Sequence, residues 1–196
     1  MRVIGLTGSI AMGKSTAAKM LAELGLPVFD SDACVHALYA PGGAAVEAIQ
    51  AIVPEAIQDG AVHRGALSGA ISKDPALLKR IESAVHPLVR AAQETFLAGA
   101  RAAGHDLAVL DVPLLFETGR EKDVDVVIVV SAPADVQRAR ALERPGMTAG
   151  KLEQLLARQV PDAEKRAKAD FVVDSGESLA ATAAQLAAIV RELRHA

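Results

Sequence analysis

The residues after the first apolar run form a glycine loop that restricts the fold more than any other part of the chain. The segment Gly8–Ser15 reads Gly-Ser-Ile-Ala-Met-Gly-Lys-Ser and matches the pattern G-x-x-x-x-G-K-[ST] without a gap. Residues Arg2–Thr7 before it have the composition of a buried parallel strand, and Lys14–Leu24 after it have helical composition. A glycine-rich turn from a strand into a helix collects backbone N–H groups at the positive end of the helix, where phosphate binds. The loop therefore predicts a nucleotide phosphate site; the alternative is a chance match in a turn that contains glycine.

Two side chains of this loop have direct chemical roles in such a site. Lys14 is long enough to reach the β- and γ-phosphates of ATP, and the Ser15 hydroxyl is a suitable oxygen ligand for Mg²⁺. ATP and Mg²⁺ are therefore the expected co-substrate and metal. The remaining loop contacts are expected from the backbone. The predicted ATP-binding set is Gly8, Ala11, Met12, Gly13, Lys14, Ser15 and Thr16, with Arg144 from outside the loop.

Strand-like and helical segments alternate along the rest of the chain. Further strands are predicted at Pro27–Asp30, Leu107–Leu110, Val124–Val130 and Asp170–Asp174. Further helices are predicted at Ala33–Tyr39, from Pro133 to the break at Pro145-Gly146, at Thr148–Lys168 and at Leu179–Leu193. Residues 44–101 read as helical, with a turn at Asp59-Gly60 and no strand. The alternation predicts an α/β fold with a parallel central sheet covered by helices on both faces.

The length of 196 residues favours a single domain. We expect a core made of residues 1–32, 104–137 and 169–196, which contain the predicted strands. Residues from about 33 to 103 would form a helical lobe, and residues from about 138 to 168 a small helical lid.

Composition excludes several classes of protein. Aromatic residues are 3% of the chain and the net charge is −3, which argues against a nucleic-acid-binding protein. A single cysteine, Cys34, excludes an internal disulfide and a zinc cluster of the cysteine type. No stretch approaches the roughly 18 apolar residues of a membrane span, and Met1–Thr7 lacks the order of a signal peptide. We therefore expect a cytoplasmic, monomeric protein that binds neither nucleic acid nor membranes.

Two aspartates follow predicted strands, at the sheet edge where α/β proteins bind ligands. Asp32 is placed to accept the proton of an attacking hydroxyl; alternatively it caps the helix that starts near Ala33. Asp111 follows four apolar residues, as a Walker-B aspartate that holds Mg²⁺ does; alternatively it is a turn residue before Pro113.

Basic residues are concentrated between residues 138 and 168. Such a segment can close over ATP and neutralise the charge of the transferring phosphoryl group. Arg140 and Arg144 are the candidates, because four-residue spacing puts them on one face of a helix. The alternative is a solvated surface, since Glu143, Glu153 and Glu164 are interleaved with the basic residues.

An ordered set of short segments covers nearly the whole chain. It comprises Gly5–Gly8 with the glycine loop, Asp30-Ser31-Asp32 with His36, Pro41-Gly42, Gly60–Leu67, His86-Pro87-Leu88, Asp111–Glu117, Val136-Gln137 with Arg140 and Arg144, Gln159, and Ala169–Asp174. In this combination the chain resembles the dephospho-coenzyme A kinase family. The most specific pieces are Pro-Leu-Leu-Phe-Glu after a strand and His-Pro at mid-chain.

The resemblance implies the three-layer fold of P-loop kinases and an enzyme that phosphorylates the ribose 3′-hydroxyl of dephospho-CoA with ATP and Mg²⁺. It implies that Lys14 holds the phosphates, that Asp32 is the base, that Arg140 stabilises the transferring phosphoryl group and that Arg144 belongs to the lid. It further implies an acceptor pocket in the helical lobe, bordered by Asp32, His36, Arg64, His86, Leu115, Phe116 and Glu117.

The acceptor residues also have plainer interpretations. His86 is alternatively a turn residue before proline, Leu115 and Phe116 core residues, and Glu117 and His36 surface residues.

The chain departs from the family at a few positions. The family usually has glycine where Ser9 and Ala11 stand here, serine at Met12 and asparagine near Ser175. Only backbone N–H groups are needed from the loop, so we expect ATP binding provided that Ala11 has a negative φ. Rival interpretations are a kinase for a nucleoside monophosphate or a sugar acid, and a GTPase-like switch, whose usual Asn-Lys-x-Asp motif is absent.

Overall fold

The computed structural model of the protein describes residues 1–195, which form two compact units. Unit 1 comprises Met1–Val28 and the chain from Ala100 onward, and unit 2 comprises Phe29–Gly99. Unit 2 overlaps the helical lobe expected at about residues 33–103. None of the helices within residues 1–195 combines the length and the hydropathy of a membrane-spanning helix.

Seven strands and nine α-helices are described within residues 1–195. The strands are β1 (Arg2–Thr7), β2 (Val28–Asp30), β3 (Ile57–Gln58), β4 (Ala61–Val62), β5 (Leu107–Asp111), β6 (Val126–Ser131) and β7 (Phe171–Asp174). The helices are α1 (Lys14–Glu23), α2 (Ser31–Tyr39), α3 (Val46–Gln50), α4 (Arg64–Lys73), α5 (Ala76–Ala102), α6 (Ala134–Leu142), α7 (Ala149–Leu156), α8 (Asp162–Lys168) and α9 (Leu179–His195). Short 3₁₀ helices lie at Pro54–Ala56 and Arg120–Asp123.

The central sheet has five strands in the order β2-β5-β1-β6-β7. Strand β1 pairs in parallel with β5 and β6, and β6 pairs in parallel with β7. The middle strands are short runs of β-branched and leucine side chains, and β5 and β6 are buried along their whole length. Continuous apolar strands of this kind require cover on both faces. Helices α1 and α9 cover one face, where their buried side chains share a cluster with Ile4, Val109 and Ile128. The predicted parallel α/β fold is confirmed.

Unit 2 has its own apolar core, which contains Ile49, Val53, Leu67, Ile81 and Val85. The helical prediction for residues 44–101 is wrong at one place, where β3 and β4 pair as an antiparallel hairpin. Asp59 and Gly60 connect them with φ angles of +50° and +74°, as a two-residue hairpin turn requires. Strands of two residues are too short to produce a periodic pattern.

Three predicted helix boundaries also need correction. Helix α2 begins at Ser31, and the Asp30 carboxylate caps it by accepting from the Ala33 N–H at 2.9 Å. Helix α6 ends at Leu142, so it does not reach Arg144 and the expected shared face with Arg140 does not form. The single helix predicted at Thr148–Lys168 is two helices: α7 ends at Leu156, and α8 begins at Asp162, directly after Pro161.

Candidate active site

The glycine loop connects β1 to α1 in unit 1, as the motif requires. Gly8 lies against β6: a Cβ atom there would stand 2.6 Å from the Val130 carbonyl oxygen. Gly13 has a φ of +86° and precedes α1 without a side-chain cap. The first N–H groups of a helix have no intrahelical partners, and the helix dipole makes this end positive. The loop therefore has the backbone geometry that binds phosphate.

Ala11 adopts a left-handed backbone conformation, with a φ of +63°. The condition of a negative φ at Ala11 is therefore not met. The conformation costs an alanine about 1–2 kcal/mol, which must be offset by contacts around it. Ala11 is buried and packs with Ala141 and Leu152 of α6 and α7.

Lys14 and Asp111 form an ion pair at the end of the central strands. The Lys14 Nζ contacts the Asp111 Oδ1, and both side chains are largely buried. The pairing of β1 with β5 brings the two residues together, since Leu6 and Asp111 are register partners. Asp111 thus contacts the lysine of the glycine loop, whereas the alternative interpretation treated it as a simple turn residue.

Arg140 is held beside the loop by Ser175. The guanidinium donates from Nη1 to the Ser175 Oγ at 3.2 Å and from Nη2 to the Ser175 carbonyl oxygen at 2.8 Å. The Ser175 hydroxyl donates to the Met12 carbonyl oxygen at 2.7 Å. Arg140 is consequently fixed next to Gly13: a Cβ atom added to Gly13 would lie 3.9 Å from the Nη1 of Arg140. Ser175, which was not among the predicted site residues, links the loop to the arginine.

Two glutamines that were quoted for the resemblance but given no role bind the loop at Ile10. The Gln159 Oε1 accepts from the Ile10 N–H at 3.1 Å, and the Gln137 Nε2 donates to the Ile10 carbonyl oxygen at 2.8 Å. The only signal in the sequence for a role of these glutamines was their place among the segments that resemble the family.

Arg144 is exposed, two residues beyond the end of α6.

The segment after Asp111 carries three predicted acceptor residues with different surroundings. Leu115 is fully buried, and Phe116 is half-buried with the Lys168 Nζ 5.9 Å from its ring centroid. The Glu117 Oε1 lies 2.8 Å from the Nζ of Lys165, which is fully buried, and accepts from the Val160 N–H at 2.9 Å. In this conformation the Glu117 carboxylate is engaged within unit 1.

Unit 2 contains the other predicted acceptor residues. Asp32 is exposed in the first turn of α2, where Asp30 already provides the cap, so the capping alternative for Asp32 is wrong. His36, one turn further along α2, contacts the Nη1 of Arg64 through Nε2 at 2.7 Å. Burial raises the pKa of Tyr39, and the positive charge of Arg64 opposes that rise.

His86 is the remaining candidate residue of unit 2, which also contains the single cysteine, Cys34. His86 is exposed within α5, before a proline inside the same helix, so it is not a turn residue. Burial raises the pKa of the Cys34 thiol, which disfavours the reactive thiolate form.

Comparison with known proteins assigns the chain to a family. The model of the dephospho-CoA kinase (CoaE) family matches residues 2–181. Dephospho-CoA kinase from Mesorhizobium japonicum is 55% identical over 99% of this chain and 98% of its own. The enzyme of that name from Agrobacterium fabrum is 54% identical over 98% of each chain.

Solved structures agree with this assignment. The structure of TT1252 from Thermus thermophilus has a TM-score of 0.85 at 33% identity, covering 98% of this chain and 97% of its own. Shikimate kinase from Acinetobacter baumannii has a TM-score of 0.52 at 19% identity, covering 100% of this chain and 94% of its own, a likeness of fold alone. The chain belongs to the dephospho-CoA kinase family.

Proposed function

We propose that the protein phosphorylates the ribose 3′-hydroxyl of dephospho-CoA with ATP, giving coenzyme A and ADP, the last step of coenzyme A synthesis. The observation that carries the proposal is the phosphate-binding loop with Lys14, Asp111 and Arg140 around it. This loop occurs in a chain that is 50–55% identical to dephospho-CoA kinases over almost its full length.

In the proposed reaction the acceptor oxygen attacks the γ-phosphorus of ATP. The bond from the γ-phosphorus to the bridging oxygen of the β-phosphate breaks, and ADP leaves. Positioning and electrostatic stabilisation supply most of the catalysis in such transfers. Arg140 offers a fixed positive charge beside the loop and stabilises the charge on the transferring group.

Lys14 has two competing anions in this scheme. In this structure its ammonium group contacts Asp111. The polyphosphate of ATP carries more negative charge and lies on the loop, so we propose that Lys14 turns from the aspartate to the β- and γ-phosphates when ATP binds.

Mg²⁺ is the metal that the oxygen donors of this site fit. Ser15 is exposed at the start of α1, and Asp111 ends β5, the strand paired with β1. Magnesium in kinases is bound by one or two protein oxygens together with substrate phosphates. We propose that the Ser15 hydroxyl and the Asp111 carboxylate hold it, and that the ion supplies neutralisation of phosphate charge.

Unit 2 carries the proposed acceptor residues. Asp32 is an exposed carboxylate without a capping role, which suits a base that takes the proton of the 3′-hydroxyl. Arg64 and His36 present a positive and a polar group side by side, which suits the phosphates of dephospho-CoA. His86 and the segment Leu115–Glu117 stay predicted acceptor residues.

The remaining expectations are part of the proposal. Residues of about 138–168 act as a lid whose closure over ATP excludes water. We also propose that the enzyme works as a monomer in the cytoplasm.

A coupled ADP-release assay with ATP and Mg²⁺ tests the proposed reaction. Dephospho-CoA is compared with AMP, gluconate and shikimate, and the product is checked by mass for one added phosphate. Phosphorylation of dephospho-CoA alone is the expected result. Turnover of another acceptor would move the protein to a different substrate class, and tight GTP binding with slow turnover would favour a switch.

A further inference from the structure

The loop residue Ile10 is bound on both sides by glutamine side chains from outside the loop. Gln159 accepts its N–H at 3.1 Å, and Gln137 donates to its carbonyl oxygen at 2.8 Å. The carbonyl of Ile10 belongs to the peptide plane that precedes Ala11. Rotation of this plane changes the φ of Ala11, so a hydrogen bond to the carbonyl restrains that angle.

Ala11 is the residue of the loop that most needs such a restraint. Its φ is +63°, in a region that glycine enters freely and alanine avoids. Met12 follows, and its N–H donates to the Ser9 carbonyl oxygen at 3.2 Å across the turn. If Ala11 left this conformation, the turn that aims the later N–H groups at phosphate would open.

The two glutamines come from opposite ends of one chain segment. Gln137 is buried in α6, and Gln159 lies three residues beyond the end of α7. Between them in the sequence, Ala141 and Leu152 belong to the same buried apolar cluster as Ala11. Residues 137–159 therefore cover the strained part of the loop with both hydrogen bonds and apolar contacts.

We propose that Gln137 and Gln159 are positioning residues that hold Ala11 in the left-handed conformation and so keep the loop ready for phosphate. The glutamines act through the loop backbone and do not touch the reacting atoms. The inference rests on the proposed function only in requiring that the loop binds ATP.

The first test measures the dissociation constant of ATP with Mg²⁺ by calorimetry, without an acceptor. Gln159→Ala and Gln137→Ala are each expected to weaken binding about 3- to 10-fold, the range set by one neutral hydrogen bond. Gln154→Ala is the matched control, because this glutamine is exposed on α7; it is expected to stay within about twofold. ATP affinity within twofold of the unmodified chain for both Gln159→Ala and Gln137→Ala would overturn the proposal.

The second test separates positioning from general stability through Ala11→Gly. Glycine adopts a positive φ without cost, so this change should improve ATP binding at least about threefold more in the Gln159→Ala chain than in the unmodified chain. A purely structural role predicts the same factor in both chains and would contradict the proposal. If Gln159→Ala does not fold, Gln159→Met replaces it in this comparison. Methionine keeps the length of the side chain but lacks the oxygen that accepts the Ile10 N–H.

Amide hydrogen exchange at Ile10 gives a readout that needs neither ATP nor catalysis. The Ile10 N–H should exchange faster in Gln159→Ala than in Gln154→Ala at equal global stability. An unmodified chain that binds ATP but leaves dephospho-CoA untouched would refute the proposed function, while the affinities would still decide this inference.

Discussion

The ion pair of Lys14 with Asp111 couples stability to nucleotide binding at the level of single residues. Asp111 is 4% exposed, so its charge is poorly solvated and the ammonium group compensates for that. In the proposed function, ATP draws Lys14 away from this partner. Part of the binding energy of the phosphates would then be used to break this contact.

Lys14→Met should therefore lower both the melting temperature and ATP affinity. The double variant Lys14→Met/Asp111→Asn should recover much of the stability, because a neutral amide needs no counter-charge, but none of the turnover. Thermal melting and the ADP-release assay measure the two effects. Recovery of turnover in the double variant would show that the lysine acts only on structure.

Asp30 and Asp32 are neighbouring carboxylates with separable tasks. Asp30 caps α2, so Asp30→Ala should destabilise the protein by about 1 kcal/mol. Asp32→Asn should leave stability and ATP affinity nearly unchanged and lower turnover by about 10²- to 10⁴-fold, the usual contribution of a general base.

Urea unfolding, ATP titration and the coupled assay distinguish these two effects. Near-normal turnover of Asp32→Asn would refute its role as the base.

At the scale of elements, the conformation of the glycine loop depends on its close approach to β6. A methyl group at Gly8 would meet the Val130 carbonyl oxygen at 2.6 Å, and a backbone atom in the middle of a sheet cannot move aside. Gly8→Ala is expected to weaken ATP binding at least tenfold and to lower the melting temperature.

Gly150→Ala is the control, since its added methyl group meets nothing within 4 Å on α7. It should raise stability by about 0.5–1 kcal/mol. Equal effects of the two substitutions would contradict the close-approach argument.

A buried ion pair connects the segment after β5 to α8. Lys165 is fully buried against Glu117, and Glu117 also holds the Val160 N–H. Lys165→Met should destabilise the protein by about 3–5 kcal/mol, because it leaves the charge of Glu117 without its buried partner.

Lys165→Met/Glu117→Gln should restore a large part of that loss. Urea unfolding of the single and double variants measures both. A single variant as stable as the parent would show that the pair contributes nothing net.

At the scale of the whole molecule, the predicted ATP residues lie in unit 1, whereas Asp32, His36, Arg64 and His86 lie in unit 2. This division predicts separable effects on the two substrates. Arg64→Ala should raise the KM for dephospho-CoA about tenfold or more, with the dissociation constant of ATP within about twofold, since a charge-assisted contact contributes about 1.5–3 kcal/mol.

Arg80→Ala, at another exposed arginine of unit 2 on α5, is the control and should leave both constants unchanged. A loss of ATP affinity in Arg64→Ala would argue against the division.

The sequence by itself determined the parallel α/β core and the phosphate loop, because both depend on local patterns: apolar runs of strand length and glycines at set spacing. The sequence was also sufficient to identify the family resemblance and to select Lys14, Asp111 and Arg140 as candidate site residues. The hairpin at Ile57–Val62 was not predicted, because strands of two residues produce no periodic pattern, although the turn at Asp59-Gly60 was predicted.

Only the tertiary structure decided what depends on residues distant in the chain. Ala11 has a φ of +63° and lies among packing and hydrogen-bond partners from residues 137–159, so the condition of a negative φ is not met. The link from Ser175 to Arg140 and the internal pair of Glu117 with Lys165 join residues 35 and 48 positions apart. No local pattern encodes such contacts, because they arise only when the sheet brings loop ends together at one edge.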